Sequence, residues 1–290
     1  MAGFRNAREM AIAQDAGRYL YRSWRKVPTQ ATGSGVWFDL SMSPGNPVPN
    51  YYIGTPGAFT PLSRSANGGI DHGPDCAPFG YKKFLRKLMG LTVTGTAAPL
   101  TMQLMDYIGF YGFIDESVTD EQPLDNTLVP SRYQDGRGVM LMPIVVAGQT
   151  GGQTFTVNYT NSDGVSGRIT PPVIMSTQAL NGTVLHSQSS GAGRGGPFLP
   201  LQGNDSGVRS VQSVTIGGVG DVGLFSLVMV KPLATLALRG IDAPTEVDYL
   251  TDCGTSLPNI VDDAYLNFVV LPVGTLAAAQ ILGTIETTWG

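Results

Sequence analysis

The chain of 290 residues has only two histidines and two cysteines, and Asp, Glu, Lys and Arg make up 14% of it, against roughly 25% in an average soluble domain. Each scarcity removes a class of function. General acid–base catalysis leans on histidine, and a nucleophilic triad needs one beside a carboxylate. His186 stands beside Ser187, Ser189 and Ser190, but no G-x-S-x-G elbow frames a nucleophile. The chain is therefore expected to be non-enzymatic, with no catalytic residues and no cofactor. Cys76 and Cys253 are far apart in sequence; two free thiols in a reducing compartment are expected, with one long-range disulfide as the alternative. No stretch of about 18 apolar residues occurs, so no transmembrane helix is expected. Arg and Asp interrupt the N-terminus where a signal peptide needs an apolar core. A net charge of −4 argues against a general nucleic-acid binder. No period of about 20–50 residues marks a solenoid or propeller.

What is present points to β-structure. Glycine (38 residues) and proline (20) are abundant, and hydrophobic residues make up 42% of the chain. Gly and Pro break helices and serve turns, and short Val/Ile/Thr/Tyr/Phe runs between them read as strands. The charge is lopsided. Arg5, Arg8, Arg18, Arg22, Arg25 and Lys26 precede position 27 with only Glu9 and Asp15 against them, whereas residues 241–290 hold seven acids and no Lys or Arg. A basic start ahead of an acidic, glycine-rich body suggests docking onto copies of itself or onto a larger surface.

Ile12, Ala16, Tyr19, Leu20 and Trp24 recur at three- and four-residue steps, which predicts one amphipathic helix over Phe4–Lys26. Its apolar stripe has to be covered, by its own body or by a neighbour. Asp15 and the weak apolar face count against a lipid surface. Val36–Leu40 is a short strand candidate, 44–80 is mostly loop, and Tyr81–Met89 is either a short helix or a strand. Alternation begins a strand at Leu100, and Val139–Val146 suits a buried one. The firmest reading is a hairpin at Asp163-Gly164, with Phe155, Val157 and Tyr159 on one face. A second hairpin is expected from Val208–Ile216 and Leu224–Val230, and two apolar strands, Tyr265–Leu271 and Ile281–Trp289, close the chain. The fold class is all-β: a β-sandwich or jelly-roll-like body with long loops and an N-terminal amphipathic helix arm. The division is a 1–28 arm and a 29–290 body, with an alternative cut near 125–137.

The remaining chemical motifs are weak. Asp71-His72-Gly73-Pro74-Asp75-Cys76 offers mixed donors, but a paired second cluster for zinc is missing, and it reads as an exposed loop with a stray histidine. The acids of Asp115–Asp125 do not follow the calcium-loop spacing and read as a solvated loop. The Gly191–Gly196 run leads into prolines and strands rather than a helix, which excludes a phosphate cradle. Tyr51, Tyr52, Tyr107, Phe110, Tyr111 and Phe113 are core or interface, with a sugar-binding platform as the alternative.

The stretch Pro197-Phe-Leu-Pro-Leu-Gln-Gly-Asn-Asp-Ser-Gly-Val-Arg-Ser-Val-Gln-Ser-Val214, the strand into Val230-Lys231-Pro232-Leu233, and the hairpin Asn158–Arg168 resemble segments of virion structural proteins of tailed bacteriophages. The likeness covers about a third of the chain. It implies a capsid cement or decoration protein made in the host cytoplasm and seated on the capsid surface. Its partner would be the major capsid protein, and it would form a homo-oligomer, with neither nucleic acid nor membrane as a partner. A tail, baseplate or adaptor subunit is the alternative, and a carbohydrate-binding β-sandwich is the alternative of another class. The residues expected to bind the partner are Arg18, Tyr19, Leu20, Arg22, Trp24, Arg25 and Lys26, the cations meeting acidic patches and the aromatics serving as anchors.

Overall fold

Nine strands of seven residues or more carry the fold: β1 (Tyr19–Lys26), β2 (Lys83–Thr92), β3 (Leu100–Asp115), β4 (Met140–Ala147), β5 (Thr154–Asn161), β6 (Val208–Ile216), β7 (Leu224–Leu238), β8 (Leu266–Pro272) and β9 (Ile281–Trp289). One helix, α1 (Ala7–Asp15), precedes them. The structure, a computed structural model, describes residues 3–177, 180–187, 196–252 and 257–290. Among the described residues all pairings between strands are antiparallel, in three sheets. The first runs Thr245–Asp248, β2, β9, β1, Gly45–Asn46; the central one Phe38–Asp39, β8, β3, β7, β4; the third Arg168–Ile169, β5, β6, Gln122–Pro123.

The two longest strands, β3 and β7, organise everything else. Alternation sends successive side chains to opposite faces, and bulges reset it. An extra residue between Pro232 and Ala234 puts Ala234, Leu236 and Leu238 on the same face as Phe225, Leu227 and Met229. That face therefore meets two other sheets. At one end Leu100, Met102, Leu104, Leu236 and Leu238 pack with Trp24, Leu85, Leu88, Ile281 and Ile285 of the first sheet. At the other, Ile108, Tyr111, Phe225 and Leu227 pack with Phe155, Val157, Tyr159, Val211 and Val214 of the third. The opposite face buries Met105, Tyr107, Phe110, Val228 and Val230 under Trp37, Met42, Tyr52 and Leu62 from the long loops. The result is a β-sandwich-like body whose central sheet is shared. Residues 125–137 connect β3 to β4 inside that sheet.

Two expectations are corrected. The helix predicted over Phe4–Lys26 covers only Ala7–Asp15, and the chain then enters β1, which pairs with β9 along its full length. Trp24 lies opposite Gly283, which in turn faces Gly90; a Cβ on Gly283 would lie 2.7 Å from the indole and one on Gly90 3.6 Å from it. The paired glycines make the slot that the indole fills. Second, Val208–Ile216 and Leu224–Val230 form no hairpin. β6 pairs with β5 in the third sheet and β7 with β3 and β4 in the central one, so the turn between them carries the chain from one sheet to another. The Asp163-Gly164 hairpin forms as read, with Phe155, Val157 and Tyr159 buried, and Tyr81–Met89 resolves to strand β2.

Candidate docking surface

The seven residues expected to bind a partner do not share an outward face. In β1 the side chains alternate across the first sheet. Trp24 is 2% exposed and Lys26 fully buried, both inward, while Arg22 and Arg25 are exposed and Arg18, Tyr19 and Leu20 half-buried. Leu20 packs against Gly73. Arg18 donates from Nε to the Trp289 carbonyl at 3.2 Å and lies 5.0 Å from the Tyr81 ring. Arg22 pairs with Asp71 at 2.7 Å, and Arg25 donates to Gln280 at 3.1 Å. The acidic stretch is likewise answered within the chain: Arg86 pairs with Asp248 and Glu286, and Lys87 with Glu246. Much of the charge asymmetry of the sequence thus closes across the first sheet.

Lys26 reaches the adjoining loop. Its ammonium donates to the carbonyls of Ser43 at 3.0 Å and Pro47 at 2.8 Å. Burial lowers its pKa to about 8, and the charge of Asp39 pulls it back up. Asp39 itself, fully buried, accepts from Ser41 N (2.9 Å), Ser41 Oγ (2.5 Å), Tyr52 OH (2.5 Å) and Tyr107 OH (2.7 Å). Burial pushes its carboxyl up and these donors oppose the shift. Asn50 N donates to Ser41 O and Tyr52 N to Asn50 Oδ1, both at 2.9 Å.

The clamp fixes what its neighbours do. Tyr52 adopts φ 54°, an uncommon region for a bulky residue that costs on the order of 1–3 kcal/mol and persists only when surroundings enforce it. With Tyr52 pinned inward, Tyr51 and Ile53 point out at 51% and 78% exposure, and Val48 on the same loop is 60% exposed. A cavity of about 180 Å³ beside the Tyr51 ring is lined by Phe38, Met42, Ser43 and Pro44. Three exposed apolar side chains within six positions, on a loop held from beneath by a buried carboxylate and a buried lysine, form a candidate docking surface; of these, Val48 and Ile53 were not singled out from the sequence. The signal was the Pro47-Val-Pro-Asn-Tyr-Tyr-Ile-Gly54 segment itself, apolar residues inside a loop.

Elsewhere the chemistry is turned inward. His72 is buried, not exposed as expected: Nε2 faces the Ala264 carbonyl and Nδ1 the Lys83 ammonium, each at 3.0 Å. Burial, then Lys83 and Arg64, hold its pKa down at about 3, so it is neutral and both nitrogens are engaged. Cys76 is buried and free, and its backbone N–H donates to Asp262; Cys253 lies outside the described residues. His186 is also buried, Nε2 on the Phe198 carbonyl at 3.1 Å and Nδ1 without a partner, and burial lowers its pKa to about 4. Ser187 Oγ accepts from Trp37 N; Ser189, Ser190 and most of the Gly191–Gly196 run lie outside the described residues. Of the aromatics weighed as core, interface or sugar platform, Tyr52, Tyr107, Phe110 and Tyr111 are buried, Phe113 is half-buried and Tyr51 is exposed. Glu116 is buried too, inside the stretch read as a solvated loop, and burial with the charge of Asp221 raises its carboxyl to about 8.

No family model matches the chain, and neither does any curated protein. Among solved structures, the VP2 subviral particle of infectious bursal disease virus matches at 8% identity over 93% of this chain and 80% of that one, with a TM-score of 0.16. A structure of the Gt strain of the same virus matches at 11% identity, covering 94% and 81%, with a TM-score of 0.17. At TM-scores this low neither match establishes a shared fold.

Proposed function

We propose that the chain is a non-enzymatic structural subunit of a virus particle, a cement or decoration protein that sits on the capsid surface and binds the major capsid protein as a homo-oligomer. The observation that carries the docking role is the 47–54 loop, where Tyr51 and Ile53 are held outward by the clamp on Tyr52. Ordering a contact loop before binding removes much of the entropic cost of association, and exposed aromatics dominate interface energies. Many such weak contacts add up when copies bind together. The viral setting rests on the resemblance of residues 197–214 and the 158–168 hairpin to phage virion segments. Quantitative mass spectrometry of purified source particles tests the reading. A copy number that matches the shell symmetry is expected; a small ring number assigns the chain to the tail instead, and absence from the particle removes the virion role.

A further inference from the structure

Three strand ends meet at one corner of the central sheet. The register sets Leu224 of β7 opposite Asp115 of β3 on one side and Ala147 of β4 on the other. The preceding Gly223 therefore lies between Glu116 and the Gly148-Gln149 segment. Glu116 N donates to Gly223 O at 3.0 Å. A Cβ on Gly223, at φ 149°, would lie 3.1 Å from the Glu116 carboxyl carbon and 2.9 Å from Gln149 Cα. Asp221 is tied to the same corner through Gln153 N, which donates to its Oδ2 at 2.8 Å, while its Oδ1 lies 3.9 Å from where a Cβ on Gly152 would be.

The corner is rich in acceptors, and three of its side-chain oxygens have no donor. Glu116, Asp221 and Gln149 are 0%, 5% and 6% exposed. Both carboxylate oxygens of Glu116 and Oε1 of Gln149 have no hydrogen-bond partner. The Gln149 amide nitrogen donates to Ser176 O, which turns Oε1 away from that carbonyl. Among the described residues no Lys or Arg acts on Glu116; the charges that raise its carboxyl are those of Asp221 and Asp115. A proton on Glu116 would add one O–H and satisfy one acceptor. A hard divalent cation takes six to eight oxygens, from carboxylates, amide carbonyls and water together. We propose that this corner binds one divalent cation of the calcium type, with Glu116, Asp221 and the side-chain carbonyl of Gln149 as its protein ligands. No group of three Asp, Glu, His or Cys side chains suited to a metal occurs among the described residues, so the donor set is two carboxylates plus an amide, completed by water. Asp115 is not part of it, because its Oδ1 accepts from Ser117 N and Oγ. The bound ion would tie the ends of β3, β4 and β7 together.

The test uses the full chain, stripped with a chelator and titrated with calcium chloride by calorimetry and thermal unfolding. One site per chain is expected, with Tm rising by several degrees at about a hundredfold excess over Kd. Glu116→Gln should fold in chelator with an undiminished Tm and lose the calcium response. Asp115→Asn should keep that response. Gln149→Glu adds a carboxylate and should tighten binding about tenfold or more. A wild type with the same Tm in calcium and in chelator overturns the proposal and leaves a proton as the neutralising species. A Glu116→Gln variant with wild-type calcium affinity overturns it as well, by assigning the binding to surface acids. If Glu116→Gln does not fold, unchanged affinity in Gln149→Glu is the overturning result.

Discussion

Asp39, in an edge strand of the central sheet, and Glu116, just past the end of β3, are both fully buried carboxylates, and their surroundings are opposite. Asp39 receives four donors, three of them hydroxyls, and has Lys26 close by. Glu116 receives none and faces Asp221. A buried acid with its donors in place holds structure, because the low-dielectric interior strengthens a satisfied network. A buried acid without donors is costly unless something outside the chain supplies the charge. The first corner therefore accounts for a rigid loop and the second for a binding site. The contrast also separates two kinds of surface: the docking loop above Asp39 is finished before any partner arrives, and the Glu116 corner is not.

The largest effect that would break this contrast comes from removing residues 1–26. That deletion takes away β1, the Trp24 slot and the Lys26 tie to Ser43 and Pro47, all on the Asp39 side. No cooperative thermal transition should remain; a truncated protein with a sharp transition would support the division into a 1–28 arm and a separate body. Next is Asp39→Ala, which leaves the Tyr107 hydroxyl without its acceptor in the core and the Ser41 and Tyr52 hydroxyls with only each other. It should cost about 3–5 kcal/mol in denaturant unfolding, and a loss under about 1 kcal/mol would mean that the clamp holds nothing. The smallest effect sharpens the middle case. His186 has one nitrogen satisfied and one not, and its folded pKa of about 4 lies below the ordinary 6.5. Below 6.5 the unfolded chain takes up the proton first, so the stability His186 contributes is present above that pH and is lost as pH falls toward 4. His186→Gln should flatten the stability–pH slope by about 1.4 kcal/mol per pH unit in that window. An unchanged slope would show that His186 is not buried as a neutral ring.

The strands that alternate cleanly were legible before folding. Phe155, Val157 and Tyr159 sit inward and Leu100, Met102 and Leu104 share a core, because apolar alternation leaves one way to bury the row. β1 was not legible. Its inward positions 24 and 26 are a tryptophan and a lysine, and a lysine hides the period unless its two carbonyl acceptors are known. The same spacing of Tyr19, Leu20 and Trp24 satisfies a helix. The β6–β7 connection was misread because a turn between two apolar strands reads the same whether they pair with each other or with strands elsewhere. Which side chains of the 47–54 loop point outward, and the Glu116 corner, were not legible for a shared reason: each depends on what residues far away in sequence offer or withhold, Tyr107 for Asp39 and Asp221 for Glu116.

The loop over residues 47–54 is proposed to be a docking surface ordered before any partner binds. The most direct measurement is co-sedimentation of a Tyr51→Ser/Ile53→Ser double variant with source particles stripped of the native protein, alongside its Tm. Affinity is expected to fall about thirtyfold or more, while stability stays within about 0.5 kcal/mol of the wild type because both side chains are exposed. Wild-type co-sedimentation by the double variant would contradict the account.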